Sequence, residues 1–461
     1  MRERRRPPCR WAPQEQAGHG ARMRPMTGLA LLAWDGGMLS YGLDLAREAV
    51  GRPARGRHRQ PRAVLAAMLI DLWLLDEAEA VMEDASAEAV DEPAWTAEIG
   101  VLRARLCLAT GRFDRVAEHA EAALATARAL NDRDGRDDRD DRGDQDGRDH
   151  SDGRGGLGGR DASGLVTSGL TCSALSVLGV ASLRAGDLPG AVRHMEREPA
   201  RWSWGMPAYT RLRSELAAGR IAEARTGAAG AMGSLGGVYA ALPRHTATLT
   251  GEPAAAAWLV RVAMAAGEPG RADAVVEAAE GLAGRNPGLP GPPVAADHAR
   301  GLREGDAEAL GRAVAGYADP WARGSAAEDL GVLLGAGGRH GEPAMESLRT
   351  ALTCYGAVGA TRDAARVRGR LRLLGERRRH WSRTDRPVSG WASLTGTERA
   401  VCDLVAQGLT NRNAAGQLFI SEHTVAFHLR QVFRKLGIRS RVELARLAAQ
   451  EDGDRDGRSL H

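Results

Sequence analysis

The chain has 461 residues, a formal net charge of +4, 43% hydrophobic residues and only 4% aromatic residues. This length exceeds the roughly 250 to 300 residues that one hydrophobic core usually serves, and the scarcity of aromatic side chains disfavours packed sheets, so we expect several all-α units. The small net charge excludes a protein whose whole surface attracts nucleic acid. If the protein binds nucleic acid, the positive charge that does so must be concentrated in one region.

The sequence lacks the patterns that are typical of metal binding, nucleotide binding and membrane spanning. The five cysteines lie far apart without a C-x-x-C pair, which argues against a zinc site and against a disulfide framework. Lys435 is the only lysine, so no G-x-x-x-x-G-K-[ST] motif can hold nucleotide phosphates. The early apolar run, Leu29 to Trp34, is too short to span a membrane. We therefore predict a cytoplasmic protein that does not associate with membranes. We also expect that it is not an enzyme and that it has no catalytic residue, cofactor or metal.

The first 375 residues contain a short tail and a long helical region. Residues 1–25 are rich in Arg and Pro without apolar periodicity, and we expect them to be disordered. Over residues 26–375, apolar stretches of helical period alternate with short glycine turns. The turn glycines are Gly111, Gly186, Gly219, Gly267, Gly305 and Gly337. Because their spacing is near the period of about 34 residues of tetratricopeptide repeats, we predict a tetratricopeptide-like helical solenoid.

Three segments interrupt or follow these repeats. Residues 131–164 consist mostly of Asp, Arg and Gly, and we predict a disordered insertion that acts as a solvated linker, with partner binding as the alternative. Residues 376–390 combine basic residues with Pro387 and form a predicted basic linker. Residues 451–461 form a predicted disordered tail.

Residues 391–450 contain the start and stop signals of four helices. The signals are two capping boxes, a terminating glycine and two further N-cap residues: Thr395-x-x-Glu398, Gly408, Thr410, Ser421 and Ser440-x-x-Glu443. The segment has a short second helix, a tight turn and a longer amphipathic third helix. This arrangement places a recognition helix in the major groove of DNA. We therefore predict a four-helix helix-turn-helix domain that binds double-stranded DNA.

The third helix of this segment has two chemically different faces. Val425, Leu429, Val432 and Leu436 recur at helical spacing and are predicted to face the core. The predicted base contacts on the opposite face are His423, Ala426, Phe427 and Arg430, of which Arg430 can reach guanine O6 and N7 together. The predicted phosphate contacts come from helix N-termini and nearby basic residues, and they are Thr410, Asn411, Arg412, Ser421, Thr424, Arg434 and Lys435. Val442, Ala445 and Ala448 of the fourth helix are the predicted dimer contact.

The local charge of the segment agrees with this interpretation. Between residues 395 and 450, Arg399, Arg412, Arg430, Arg434, Lys435, Arg439, Arg441 and Arg446 outnumber the acids Glu398, Asp403, Glu422 and Glu443. An excess of Arg and Lys on a small domain neutralises phosphates.

At these residues the sequence resembles a known family. The matching motifs are Leu394-Thr395-x-x-Glu398-Arg399, Gly408-Leu409-Thr410-Asn411, Leu418-Phe419-Ile420-Ser421, Thr424-Val425-x-x-His428-Leu429 and Lys435-Leu436-Gly437-Ile438-x-x-Arg441-x-Glu443-Leu444-Ala445. Together they are similar to the LuxR-type helix-turn-helix, which implies a transcriptional regulator that binds DNA as a homodimer. Upstream segments, among them Pro320-Trp321-Ala322-Arg323, resemble the C-terminal half of the large ATP-binding LuxR-family regulators of actinobacteria.

The chain departs from that family at several points. Its relatives carry a P-loop ATPase ahead of the repeats, whereas this sequence has no such motif, which implies a regulator without the nucleotide switch, either naturally short or truncated. Ala426 stands where relatives carry a longer polar side chain, and Ala414 stands at a usual aliphatic core position.

The repeats leave alternative functions open. We expect them to act as a sensor or to bind RNA polymerase or a protein effector. The main alternative is a helical-repeat interaction scaffold with a weak or vestigial DNA-binding domain. A sigma-like subunit lacks support because we find no aromatic and basic promoter-melting helix upstream, and an ATPase lacks its P-loop.

Overall fold

The computed structural model describes residues 26–51, 60–89, 92–143, 160–197, 207–252, 254–336, 341–374, 391–418 and 420–448. Within these ranges the regular secondary structure is helical, and no strand is present. The all-α prediction is confirmed. The predictions of disorder for residues 1–25 and 451–461, and of a linker at 376–390, lie outside the described residues.

The described helices divide into a long array and a small C-terminal group. The array comprises α1 (Met26–Asp35), α2 (Leu39–Val50), α3 (Pro61–Asp71), α4 (Leu75–Glu88), α5 (Pro93–Ala109), α6 (Phe113–Gly143), α7 (Arg160–Ala185), α8 (Leu188–Glu196), α9 (Ala208–Thr226), α10 (Ala228–Ala241), α11 (Ala255–Ala265), α12 (Pro269–Arg285), α13 (Gly291–Glu304), α14 (Ala307–Gly316), α15 (Pro320–Ala336), α16 (Glu342–Ala357) and α17 (Thr361–Leu373). A 3-10 helix, Thr246–Thr250, precedes α11. The C-terminal group comprises a 3-10 helix, Trp391–Ser393, then α18 (Gly396–Ala406), α19 (Asn411–Leu418), α20 (Glu422–Leu436) and α21 (441–448).

Helices that follow one another in the array pack side by side across short turns. The turn between α5 and α6 shows why: Gly111 adopts φ +74°, a left-handed conformation that L side chains avoid, and the chain reverses within the three residues between the helices. The predicted turn glycines Gly186, Gly267 and Gly305 likewise have positive φ. The helical solenoid prediction is confirmed in its general form.

One predicted turn is wrong. Gly219 lies inside α9, where a Cβ would stand 2.6 Å from the Leu235 side chain of α10. The missing side chain therefore lets two helices approach closely, and the chain turns instead at Gly227, where φ is +81°. The Ala-Gly-Arg tripeptide resembles the sequences of the other turns. Local sequence therefore does not distinguish a glycine in a turn from a glycine at a close contact between helices. Gly337 lies outside the described residues.

The predicted disordered insertion is corrected at both ends. Helix α6 continues to Gly143, and α7 begins at Arg160, so residues 131–143 and 160–164 are helical. An existing helix gains one backbone hydrogen bond for each residue it adds, and no proline interrupts the sequence between residues 113 and 143. Low apolar content therefore did not end the helix where expected. The remainder of the predicted insertion, residues 144–159, lies outside the described residues.

The array curves until distant turns meet. Asn286, which follows α12, donates its side-chain amide to the Gly37 carbonyl at 2.8 Å and accepts the Ser40 N–H at 3.1 Å. At the other end, the Thr361 hydroxyl donates to the Ala185 carbonyl at 2.5 Å. The first helices therefore contact the middle of the array, and α17 contacts the end of α7.

Small apolar side chains form the core of the array. One cluster joins α1–α5 with α9–α13 through residues such as Trp34, Leu69, Leu216 and Trp258. By length and composition, Val166–Ala185 of α7 could cross a membrane. However, 67% of that segment is buried, and α7 packs against α5, α6, α8 and α9, as a core helix does.

The C-terminal group has its own core. Val401, Cys402 and Val405 of α18 pack with Ala414 and Ala415 of α19 and with one face of α20. Val405 is buried in this core, whereas Ala400 and Leu404 of the same helix are only half-buried. The prediction of a four-helix domain after the solenoid is confirmed.

Candidate nucleic-acid interface

The first two helices of the C-terminal domain begin at the predicted caps. The Thr395 hydroxyl accepts the Glu398 N–H at 3.2 Å, and the Glu398 carboxylate accepts the Thr395 N–H at 2.7 Å, which completes a capping box for α18. The Thr410 hydroxyl accepts the Asn413 N–H at 3.2 Å and caps α19. Gly408, with φ +89°, reverses the chain between these helices.

The limits of α20 are set by two residues with opposite roles. The Ser421 hydroxyl accepts the Thr424 N–H at 3.1 Å and begins the helix. Gly437, with φ +69°, ends it in the left-handed conformation. The next helix also starts near its predicted cap, because the Ser440 hydroxyl accepts the Glu443 N–H at 3.1 Å. Glu443 accepts the N–H of Arg439, rather than that of Ser440, at 2.7 Å.

Helix α20 has one buried face and one exposed face. Val425, Leu429 and Val432 are buried, as predicted, and Leu436 is half-buried. The predicted base-contact residues His423, Phe427 and Arg430 are exposed, and Ala426 is half-buried among them. The Phe427 side chain is 50% exposed, and its ring packs edge-on against His428. One side of the helix thus presents a cation and an unburied aromatic ring to solvent.

The predicted phosphate-contact residues occupy two neighbouring helix starts and the end of α20. Thr410, Asn411 and Arg412 lie at the start of α19, and Ser421 and Thr424 lie at the start of α20. Arg412 is exposed, 4.0 Å from the exposed Glu422 carboxylate. The first N–H groups of a helix lack intrahelical partners, so both starts can donate to an anion. Arg434 is exposed near the end of α20 and donates to Gln431.

Lys435 faces a different environment from the other predicted phosphate contacts. Its ammonium donates to the Ser393 carbonyl at 3.0 Å and to the buried Glu398 carboxylate. Burial alone would raise the pKa of Glu398, but hydrogen bonds from Lys435 and from the Thr395 N–H hold that pKa below its ordinary value. The side chain therefore ties the end of α20 to the start of α18.

Two further basic residues stabilise the domain in ways that the sequence analysis missed. The Arg399 guanidinium lies 4.6 Å from the centre of the Trp391 ring. Arg441 of α21 donates to the Leu409 carbonyl at 2.7 Å. Both contacts join residues from separate elements, and helical periodicity contains no signal for them.

The predicted dimer residues differ in exposure. Val442 of α21 is 80% exposed, whereas Ala445 and Ala448 are half-buried. The neighbouring Leu444 is fully buried in the domain core. Helix α21 thus packs through one side and leaves a branched apolar side chain in water.

No group of three or more His, Cys, Asp and Glu side chains that could hold a metal ion occurs in the part of the chain that the structure describes. His423 is exposed, and burial lowers the pKa of His428.

Comparisons with known proteins place the C-terminal domain in a family. The family described as "Bacterial regulatory proteins, luxR family" matches residues 392–448. An HTH-type transcriptional regulator of Mycobacterium bovis is 52% identical over 65 residues, which is 14% of this chain and 7% of that protein. The nitrate/nitrite response regulator NarP of Escherichia coli is 47% identical over 60 residues, 13% of this chain and 28% of NarP. The activator DevR/DosR of Mycobacterium tuberculosis is 33% identical over 93 residues, 20% of this chain and 41% of that protein.

The chain therefore ends in a LuxR-family helix-turn-helix domain. The three matches cover between 13% and 20% of this chain and between 7% and 41% of the relatives' own lengths. They identify the domain rather than the repeats.

Proposed function

We propose that the protein regulates transcription by binding double-stranded DNA through α20. The observation that carries this proposal is the division of α20 into a buried Val and Leu face and an exposed face with Arg430 and Phe427. A helix of this kind fits the major groove, which is about 12 Å wide. The similarity to HTH-type regulators supports the same conclusion.

Base recognition would come from the exposed face of α20. The guanidinium of Arg430 can donate to guanine O6 and N7, and Phe427 can contact a thymine methyl group. His423 and Ala426 complete the proposed surface. Because Ala426 has no polar group, discrimination between bases depends mainly on Phe427 and Arg430.

Phosphate binding would come from the two helix starts and from Arg434. The N-termini of α19 and α20 supply backbone N–H groups at Thr410, Asn411 and Ser421, and Arg412 adds a charge beside them. The Thr424 N–H already donates to the Ser421 hydroxyl, so Thr424 would contact phosphate through its side chain. A phosphate contact by Lys435 stays a prediction. To make this contact, Lys435 would have to break its ion pair with Glu398.

Replacing Arg430 by alanine is expected to weaken binding to the cognate site much more than binding to scrambled DNA. Loss of the paired hydrogen bonds to guanine should cost about 1 to 3 kcal/mol on the cognate site and little on scrambled DNA. Binding sites would be selected from random duplexes, and fluorescence anisotropy would then compare cognate and scrambled duplexes at several salt concentrations. The control is Arg446→Ala, which removes an exposed arginine from α21. Unchanged discrimination in Arg430→Ala would contradict base recognition by this residue.

We propose in addition that two copies bind DNA together through α21. The 80% exposed Val442 supports this, because a branched apolar side chain gains free energy when a second copy covers it. Ala445 and Ala448 lie farther along the same short helix and would extend the contact.

Placing a charge on that contact is expected to separate the two copies. Val442→Asp would put a carboxylate in an apolar interface, so the protein should sediment as a monomer and bind half-sites only. The measurement is sedimentation equilibrium with and without the selected duplex. Arg439→Lys changes a nearby exposed side chain without altering charge and serves as the control. A Val442→Asp protein that remains dimeric on DNA would exclude α21 as the contact.

The helical repeats would serve as sensor or platform for RNA polymerase or a protein effector in the cytoplasm. The likeness of Pro320–Arg323 and its neighbours to the large ATP-binding LuxR-family regulators supports a sensory role. The single lysine, Lys435, leaves these 461 residues without a P-loop, so nucleotide hydrolysis is no part of the proposal. The size of the array favours an interaction scaffold as the second candidate, and that reading requires wild-type protein to bind no DNA sequence selectively.

A further inference from the structure

The curvature of the array forms a partly open cavity of about 180 Å³. Its wall combines residues from distant parts of the sequence, including Leu108, Leu249 and Leu282, with the charged residues described below. A closed apolar cavity of about 150 Å³ is large enough for benzene, so this one can hold an aromatic ring with a short substituent.

Most charges around the cavity are paired within the protein. The Asp71 carboxylate accepts hydrogen bonds from Arg105 at 2.5 Å and from Arg213 at 3.0 Å. Glu252 is paired with Arg220. Two other charged side chains of the wall, Arg184 and Asp319, form no such pair among the described residues.

Arg184 is buried and forms no ion pair, although the Glu252 and Asp319 carboxylates act on it electrostatically from a greater distance. Arg184 is only 5% exposed. Within the described ranges its guanidinium makes no hydrogen bond and no ion pair within 4.0 Å. It lies 4.5 Å from the centre of the Trp321 ring, a contact that stabilises the cation without using its N–H donors. Burial lowers the pKa of Arg184, as expected for a cation that has lost water. Five N–H donors therefore remain for an anion.

Asp319 uses only one of its two oxygens. Oδ1 accepts the backbone N–H groups of Trp321 at 2.7 Å and Ala322 at 3.3 Å, and so caps α15. Oδ2 is buried and has no hydrogen-bond partner among the described residues. Burial raises the pKa of Asp319 to about 6, against the opposing charge of Arg184. One oxygen thus remains an acceptor without a donor, which is costly in a buried position.

Backbone strain is also concentrated at the cavity wall. Among the described residues, only Trp73, with φ +62°, and Ala254, with φ +52°, combine a side chain with a positive φ. Both line this cavity. Such conformations cost of order 1 kcal/mol or more each and occur preferentially at ligand sites.

We propose that the cavity binds a small carboxylic acid with an aromatic side chain and an α-hydroxyl or α-ammonium group. Its carboxylate pairs with Arg184, its α-substituent donates to Oδ2 of Asp319, and its ring lies among the leucine side chains. This inference deepens the sensory part of the proposed function and rests on it, but ligand binding can be measured without DNA.

The test uses isothermal titration calorimetry of the full chain with four probes. L-3-phenyllactate and L-phenylalanine carry both polar groups, 3-phenylpropionate lacks the donor, and phenethylamine lacks the carboxylate. We expect one of the first two to bind about 10-fold or more tightly than 3-phenylpropionate, and phenethylamine not to bind. The stronger of the two identifies the α-substituent. Absence of binding by both at millimolar concentration would overturn the proposal.

Two variants examine the two polar contacts separately. Arg184→Met should weaken the better ligand by about 10- to 100-fold, with Arg184→Lys intermediate and the exposed Arg193→Met as control. Asp319→Asn keeps a residue that caps helices well but offers N–H where Oδ2 stood, so it should weaken the better ligand and leave 3-phenylpropionate unchanged. If Arg184→Met does not fold, the Asp319→Asn comparison decides.

Equal affinities in wild type and Asp319→Asn would overturn the assignment. A protein that binds phenyllactate or phenylalanine but no DNA would contradict the proposed regulator while leaving the cavity assignment intact. The reverse result would contradict the cavity assignment alone.

Discussion

Glu328→Gln is expected to destabilise the helical array by about 3 to 5 kcal/mol. The Glu328 carboxylate is buried in α15 and accepts hydrogen bonds from Arg366 at 2.7 and 2.5 Å and from the Tyr355 hydroxyl at 3.0 Å. Arg370 lies 3.0 Å from the same carboxylate. The amide of glutamine has nearly the same volume but no charge, and it presents N–H groups to arginine donors. Arg366 would then keep only Asp363 as an anionic partner, and Arg370 would lose the carboxylate with which it pairs.

Urea unfolding followed by far-ultraviolet circular dichroism would measure the loss. The matched control is Glu342→Gln, because Glu342 forms a comparable ion pair with Arg349 at 2.6 Å but is 69% exposed. Exposed pairs contribute about 0 to 1 kcal/mol, so this control should unfold nearly as wild type does. If both variants lose the same free energy of unfolding, burial of Glu328 does not explain the stability that its ion pairs contribute.

Gly111→Ala is expected to cost about 3 to 5 kcal/mol, because backbone strain and a steric clash add together. Gly111 has φ +74°, and a Cβ there would stand 2.7 Å from Cα and 2.8 Å from the carbonyl oxygen of Val358. Both atoms belong to backbone, so no side-chain rotation relieves the overlap. The turn after α5 and the turn after α16 would have to separate.

Gly267→Ala isolates the strain from the clash. Gly267 has φ +76°, almost the same conformation, but a Cβ there would meet nothing within 4 Å. Its replacement should cost only about 1 to 2 kcal/mol, the penalty for a left-handed L residue. The difference between the two unfolding free energies measures the contact between distant turns. If the two variants lose the same free energy, that contact contributes no stability.

The sequence predicted most of what depends on neighbouring residues. Thr395, Thr410 and Ser421 cap their helices as expected because capping is a local interaction over three residues. The inward and outward faces of α20 follow from helical period alone. For the same reason, the four-helix architecture of the C-terminal domain was predictable.

Contacts between distant residues were not predictable in this way. Gly219 carries the same local pattern as the turn glycines, but its role depends on Leu235 in another helix. Lys435 was assigned to phosphate from its charge and place in α20, and only the folded chain brings Glu398 beside it. The cavity with Arg184 and Asp319 likewise requires the curvature of the whole array. Whether the proposed DNA contacts form stays a prediction for the experiments above.

The contacts that join distant turns also change how the array should respond to denaturant. In an open row of repeats, each terminal unit touches a single neighbour, so the ends fray before the middle unfolds. Here the first turn is held by Asn286, and α17 is held at Ala185, so neither end is free. Amide hydrogen exchange in α1 and α17 should consequently be slow and governed by the same global opening as the centre.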